Sequence, residues 1–116
     1  MVALRQAVVV VEGVLIGLFV LFLTMNLLDL PYAWHAQSCL VDRSAGCYPW
    51  GTEGPMAGRW AYASKRNYLA LSIFDSIVSC AALVSALILP QGKRIFALLV
   101  GVSLICLSGF LLPLII

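Results

Sequence analysis

Two carboxyl side chains, Glu12 and Asp75, stand in stretches of sequence that are otherwise almost free of charge. At the centre of a bilayer an acid costs about 3 kcal/mol, so each is a candidate for proton transfer, ion passage or contact with another helix. Sharing a proton would require equal depth. With span centres at Leu18 and Ser79 and about 1.5 Å of rise per residue, the two acids lie roughly 15 Å apart along the membrane normal. A carboxylate dyad is therefore not expected. Around Asp75, Ser72, Ser76 and Ser79 recur at helical spacing and make one polar stripe, which should face helices rather than lipid. The stripe reads first as packing, next as a contact with another subunit, and last as an ion path. At the depth of Asp75 the expected neighbours are Thr24 and Ser108, and at the depth of Glu12 they are Ser85 and Gly101.

Of the four cysteines, Cys39 and Cys47 flank Gly46 in a turn-rich segment, a spacing that can close a small disulfide ring in an oxidising compartment. Cys80 and Cys106 fall near the middle of two apolar stretches and read as small packing residues, because an apolar site leaves a thiol inert. No CxxC pair is present. His35, the only histidine, lies just past Pro31 and outside the apolar stretches, so a haem held between helices would lack a histidine ligand. No metal site is expected. The sequence has no GxSxG, HExxH or phosphate-loop motif, and nothing assembles a nucleophile with a base and its orienting partner. The expectation is a protein that is not an enzyme.

The elements that must carry these residues follow from composition. Of 116 residues, 63% are hydrophobic and 10% charged, and mean hydropathy is +1.06. Ordinary soluble domains are about a quarter charged, so lipid is the solvent expected for most of this chain. A net charge of +2 without a basic run excludes a nucleic-acid reader. The expected fold is an all-α integral membrane domain over residues 1–116 with three spans, at about 8–30, 68–89 and 95–116. Loop 31–67 joins the first two. Val8–Leu28 is longer than the roughly 7–15 residue core of a signal peptide, and no small-residue cleavage site follows it, so it is expected to remain. Pro31 is expected to end the first span near Leu30. Met56–Arg66 could form a short interfacial helix, and Pro90–Arg94 a tight basic connection. Tyr32, Trp34, Trp50, Trp60 and Tyr62 are expected at the headgroup layer, which favours amphipathic rings.

Gly13 and Gly17 form a GxxxG spacing, and Gly101 and Ser108 give the third span its own small residues. Such residues let helix backbones approach closely. Arg5, Lys93 and Arg94 concentrate positive charge on one side, which predicts a cytoplasmic amino terminus with loop 31–67 and the carboxyl terminus outside. The disulfide points the same way. A compact, uninterrupted chain sets the expectation of a bacterial inner membrane. Function is expected to be that of a non-enzymatic accessory subunit in an energy-transducing or photosynthetic complex. Its partners would be other membrane subunits and lipid, with bound lipid, pigment or quinone as candidate cofactors. Two alternatives remain: a small homo-oligomeric transporter or channel using Asp75 and Ser72/Ser76/Ser79, and a membrane regulator or immunity protein.

Overall fold

The computed structural model describes residues 2–39, 46–50 and 59–115. Three helices, α1 (Val2–His35), α2 (Lys65–Ile88) and α3 (Gln91–Ile115), are each long and apolar enough to cross a membrane. At 1.5 Å per residue they extend about 51, 36 and 38 Å, against a hydrocarbon thickness of about 30 Å. In lipid a backbone must satisfy its own polar groups, which makes helix the outcome even for the β-branched run Val8–Val11.

Side-chain contacts fix the register of α1 against α2. Lys65 meets the carbonyl of Trp34, Tyr68 meets Asp29 and Ser72 meets Asn26, so the two helices are antiparallel. Carried down the pair, this register brings Ile88 beside Val10. The first two turns of α1 therefore extend past the other helices, by about 12 Å. The core lies lower down, where Phe19, Ala82, Ala86 and Leu98 are buried together. Gly101 permits that convergence: a Cβ there would stand 3.0 Å from Phe19 Cζ and 3.1 Å from Ala82 Cβ.

Five boundaries differ from the sequence expectation, beginning with the start of α1 at Val2 rather than near residue 8. The first helix does not end near Leu30 but continues through Pro31 to His35. Proline's fixed φ suits a helix, and its costs are one missing N–H bond and a ring that crowds the carbonyl of Leu27. Around it the chain end is held in other ways. Ala36 N–H donates to Tyr32 O at 2.9 Å, and Lys65 Nζ donates to the carbonyl oxygens of Trp34 and Ala36. Ala33, meanwhile, is fully buried.

The second helix starts at Lys65 rather than Tyr68, because Ser64 caps it by accepting from Asn67 N–H at 3.2 Å. That cap also divides the expected interfacial helix. Trp60–Tyr62 form a single 3₁₀ turn separate from α2, while Met56–Gly58 lie outside the described residues. Finally, α3 begins at Gln91, so the connection is Leu89–Pro90 alone. Pro90 O accepts from Lys93 N–H and Arg94 N–H at 2.9 and 3.2 Å, and Arg94 Nε donates to Leu89 O at 2.8 Å, satisfying the end of α2.

Candidate functional site

The end of the bundle where α1 finishes and α2 begins carries nearly all the polar organisation. Cys39 and Cys47 are joined by a disulfide with a Cα–Cα distance of 5.1 Å. Two backbone bonds brace the ring's stem, Cys39 N–H to Tyr48 O at 2.8 Å and Tyr48 N–H to Gln37 O at 3.1 Å. Gly46, at φ 87°, supplies the left-handed turn that brings Cys47 back. The strand of chain leaving this ring lies against the helices through aromatic rings. Tyr48 and Trp50 stack at 4.7 Å, and Tyr68 of α2 meets them edge-on and tilted at 5.4 and 5.6 Å. Trp50, expected among the outward aromatics, is instead 3% exposed. It is enclosed by these rings, with Lys65 Nζ 5.8 Å above its own. Tyr32 and Trp34 do face outward, as a headgroup layer would require.

Asp29 is the fastening point. Both tyrosine hydroxyls donate to it, Tyr48 to one oxygen and Tyr68 to the other, the latter at 2.5 Å. Burial, and then the hydrogen bond to Asp29, push the Tyr48 phenol up from 10.0 to about 12. The sequence reading places Tyr48 only among the loop aromatics of the headgroup layer and gives Asp29 and Tyr68 no role. The available signal was an acid on the last turns of a span facing a tyrosine-bearing loop.

Beneath this cap lies a cavity of about 620 Å³ between the three helices. Arg59, Trp60 and Tyr62 form its outer rim, and Gly109 and Phe110 its α3 side. Asn67 Nδ2 holds the rim by donating to Trp60 O at 3.0 Å. The polar wall is Asn26, Ser72 and Asp75. Ser72 Oγ donates to Asn26 Oδ1 at a long 3.3 Å, while Asn26 Nδ2 donates to Phe22 O at 2.9 Å. Asp75 is 7% exposed, and its Oδ1 has no partner among the described residues. A second, smaller hollow of about 290 Å³ lies between α1 and α3, walled by apolar side chains and Cys106.

The stripe Ser72, Asp75, Ser76 and Ser79 is buried along its whole length, inside the chain's own bundle. Ser76 Oγ donates to Ser72 O at 2.8 Å. Ser108 is buried too and donates to Ile105 O at 2.7 Å. Thr24, expected near Asp75, is exposed and donates to Val20 O within its own helix at 2.7 Å. Glu12 is buried at 6% exposure, level with Ala86 by the α1–α2 register, and its Oε1 has no partner among the described residues. The same register sets Asp75 level with residue 23, about 16 Å from Glu12 along the axis. The two acids are not brought together.

Gly13 and Gly17 are not brought into the bundle either. Both are exposed, and a Cβ on either would meet nothing within 4 Å. Cys80 and Cys106 are free thiols on exposed faces, not in the helix contacts expected of them. His35 is exposed at the end of α1. Among the described residues no group of three or more His, Cys, Asp or Glu could hold a metal ion. Comparison with family models, curated proteins and solved structures finds no match to this chain.

Proposed function

We propose that the protein is a non-enzymatic accessory subunit of a larger membrane complex, of an energy-transducing or photosynthetic type, in a bacterial inner membrane. The observation that carries this reading is the bare face of α1. Gly13 and Gly17 form a shallow notch on a helix whose own neighbours lie on the opposite side. A notch of this kind lets a second backbone come close, and in lipid close packing is the main source of helix affinity. The two turns of α1 that extend past α2 and α3 lengthen that face. Against this, the stripe around Asp75 is turned inward, which gives a pore lined by Ser72, Ser76 and Ser79 less support than a packing role. The charge pattern supports a cytoplasmic amino terminus with the disulfide ring outside.

Gentle detergent extraction followed by native mass measurement tests the reading. The expected result is a mass well above the monomer, carried by other membrane proteins. Gly17→Leu should strip those proteins away while Leu18→Ala retains them. A monomer or a pure homo-oligomer in the wild type, or equal effects of the two substitutions, would overturn it. A tag at the amino terminus should resist labelling from outside intact cells.

A further inference from the structure

The outer cavity and the α1–α3 hollow lie one above the other along α1 and α3, and together they are termed the cleft. Phe22 and Asn26 stand one turn apart on the same face of α1, the first in the hollow's wall and the second in the cavity's. On α3 the pairs Ile105/Gly109 and Cys106/Phe110 are related in the same way. Residues four apart lie one above the other on a helix. A chamber with aromatic and hydrogen-bonding walls therefore adjoins a hollow walled by apolar side chains and Cys106.

We propose that this cleft binds an isoprenoid quinone, with the ring in the outer chamber and the tail along the α1–α3 hollow. The chamber has flat walls for a ring in Trp60, Tyr62, Tyr68 and Phe110. It has donors for a ring oxygen in Asn26 and in Ser72, whose present bond at 3.3 Å is weak enough to be redirected. Asp75 can accept from the hydroxyl of the reduced ring. Depth separates this ligand from a phospholipid. Trp60 O is tied to Asn67, and Asp75 lies eight residues further along α2, about 12 Å deeper. A phosphate held by Arg59 at the rim would leave acyl chains against Ser72, Asn26 and Asp75, and burying polar groups against methylenes is costly. A metallated tetrapyrrole would need an axial ligand, and no histidine or methionine is among the residues described in the chamber wall.

The test uses the full chain in phosphatidylcholine nanodiscs, titrated with a decyl-substituted benzoquinone while tryptophan fluorescence is followed. Saturable quenching is expected, and Trp60→Phe should remove part of it. Gly109→Leu would add a side chain to the chamber wall without a clash, since a Cβ at Gly109 meets nothing within 4 Å. It should weaken binding by about tenfold or more with thermal unfolding unchanged. Phe110→Ala, at an exposed ring, probes the same contact without adding volume and should also weaken binding. Quenching that rises linearly with quinone and is equal in all variants would overturn the proposal. So would a tightly held phospholipid that the quinone does not displace. The site is independent of the subunit reading: quinone binding by a protein that purifies alone would keep this inference and remove the other.

Discussion

Asp29→Asn should release the disulfide ring from the helices while leaving the bundle intact. The carboxylate accepts from two phenols, Tyr48 and Tyr68, and hydrogen bonds to a charged group contribute about 1.5–3 kcal/mol each. Asparagine offers a single uncharged acceptor, so one bond is lost and the other falls to about 1 kcal/mol. Because Asp29 is half-buried, solvent screening reduces the total to roughly 2 kcal/mol, or about thirtyfold in the opening equilibrium of the ring. Amide hydrogen exchange reads this directly. The N–H groups of Cys39 and Tyr48 are bonded only within the stem, so their exchange should accelerate by about thirtyfold while α2 and α3 stay protected. Tyrosinate absorbance gives an independent check. Folding raises Tyr48 from 10.0 to about 12. Its contribution is therefore complete below pH 10 and is lost as pH rises through about 12. In Asp29→Asn that late titration should move back toward 10. Unchanged exchange together with an unchanged alkaline titration would refute the fastening role.

Gly101→Leu should lower thermal stability by about 1–3 kcal/mol through overpacking, since even a Cβ there would crowd Phe19 and Ala82. Calorimetry in detergent would register it, and stability equal to wild type would remove Gly101 from the core. Reducing the Cys39–Cys47 bridge should cost about 2.5 kcal/mol, by the loop-entropy relation for so short a ring. The loss should appear as faster exchange at residues 37–39 and 46–50 with the helices unaffected, and loss of helix protection would contradict a local role for the disulfide.

The helices, their number and the disulfide were legible because each follows from one-dimensional pattern: apolar run length, and two cysteines spaced around a glycine. The boundaries were less legible because they depend on partners distant in sequence. Pro31 is tolerated inside α1 at an end where Lys65, thirty-one residues away from Trp34, satisfies the carbonyls. Trp50 looks like an interfacial ring in sequence, and only the Tyr48–Tyr68 pairing shows where it goes. The GxxxG spacing is visible in sequence, but not which helix it would meet. Its two glycines face away from the bundle, while Gly101, outside any motif, makes the close approach.

Two glycines on α3 stand in different surroundings. At Gly101 the three helices converge so closely that a methyl group would crowd two neighbours, whereas two turns further along, at Gly109, the same group would touch nothing within 4 Å. Gly109 stands on an exposed side of α3, about 80° round the helix from Gly101, while Ser108 and Leu112, on the Gly101 face, stay buried. A cavity between helices in lipid ordinarily closes, because contact with each other is better packed than contact with mobile chains. Here the outer end is tied from α1 to α2 by Asp29 and Lys65, and the Trp60–Tyr62 turn is held across the opening by Asn67. These ties are polar and directional, so they fix a separation as well as an approach. Tyr68, one of the two rings fastened to Asp29, also lines the chamber, which links that fastening to the volume beside it.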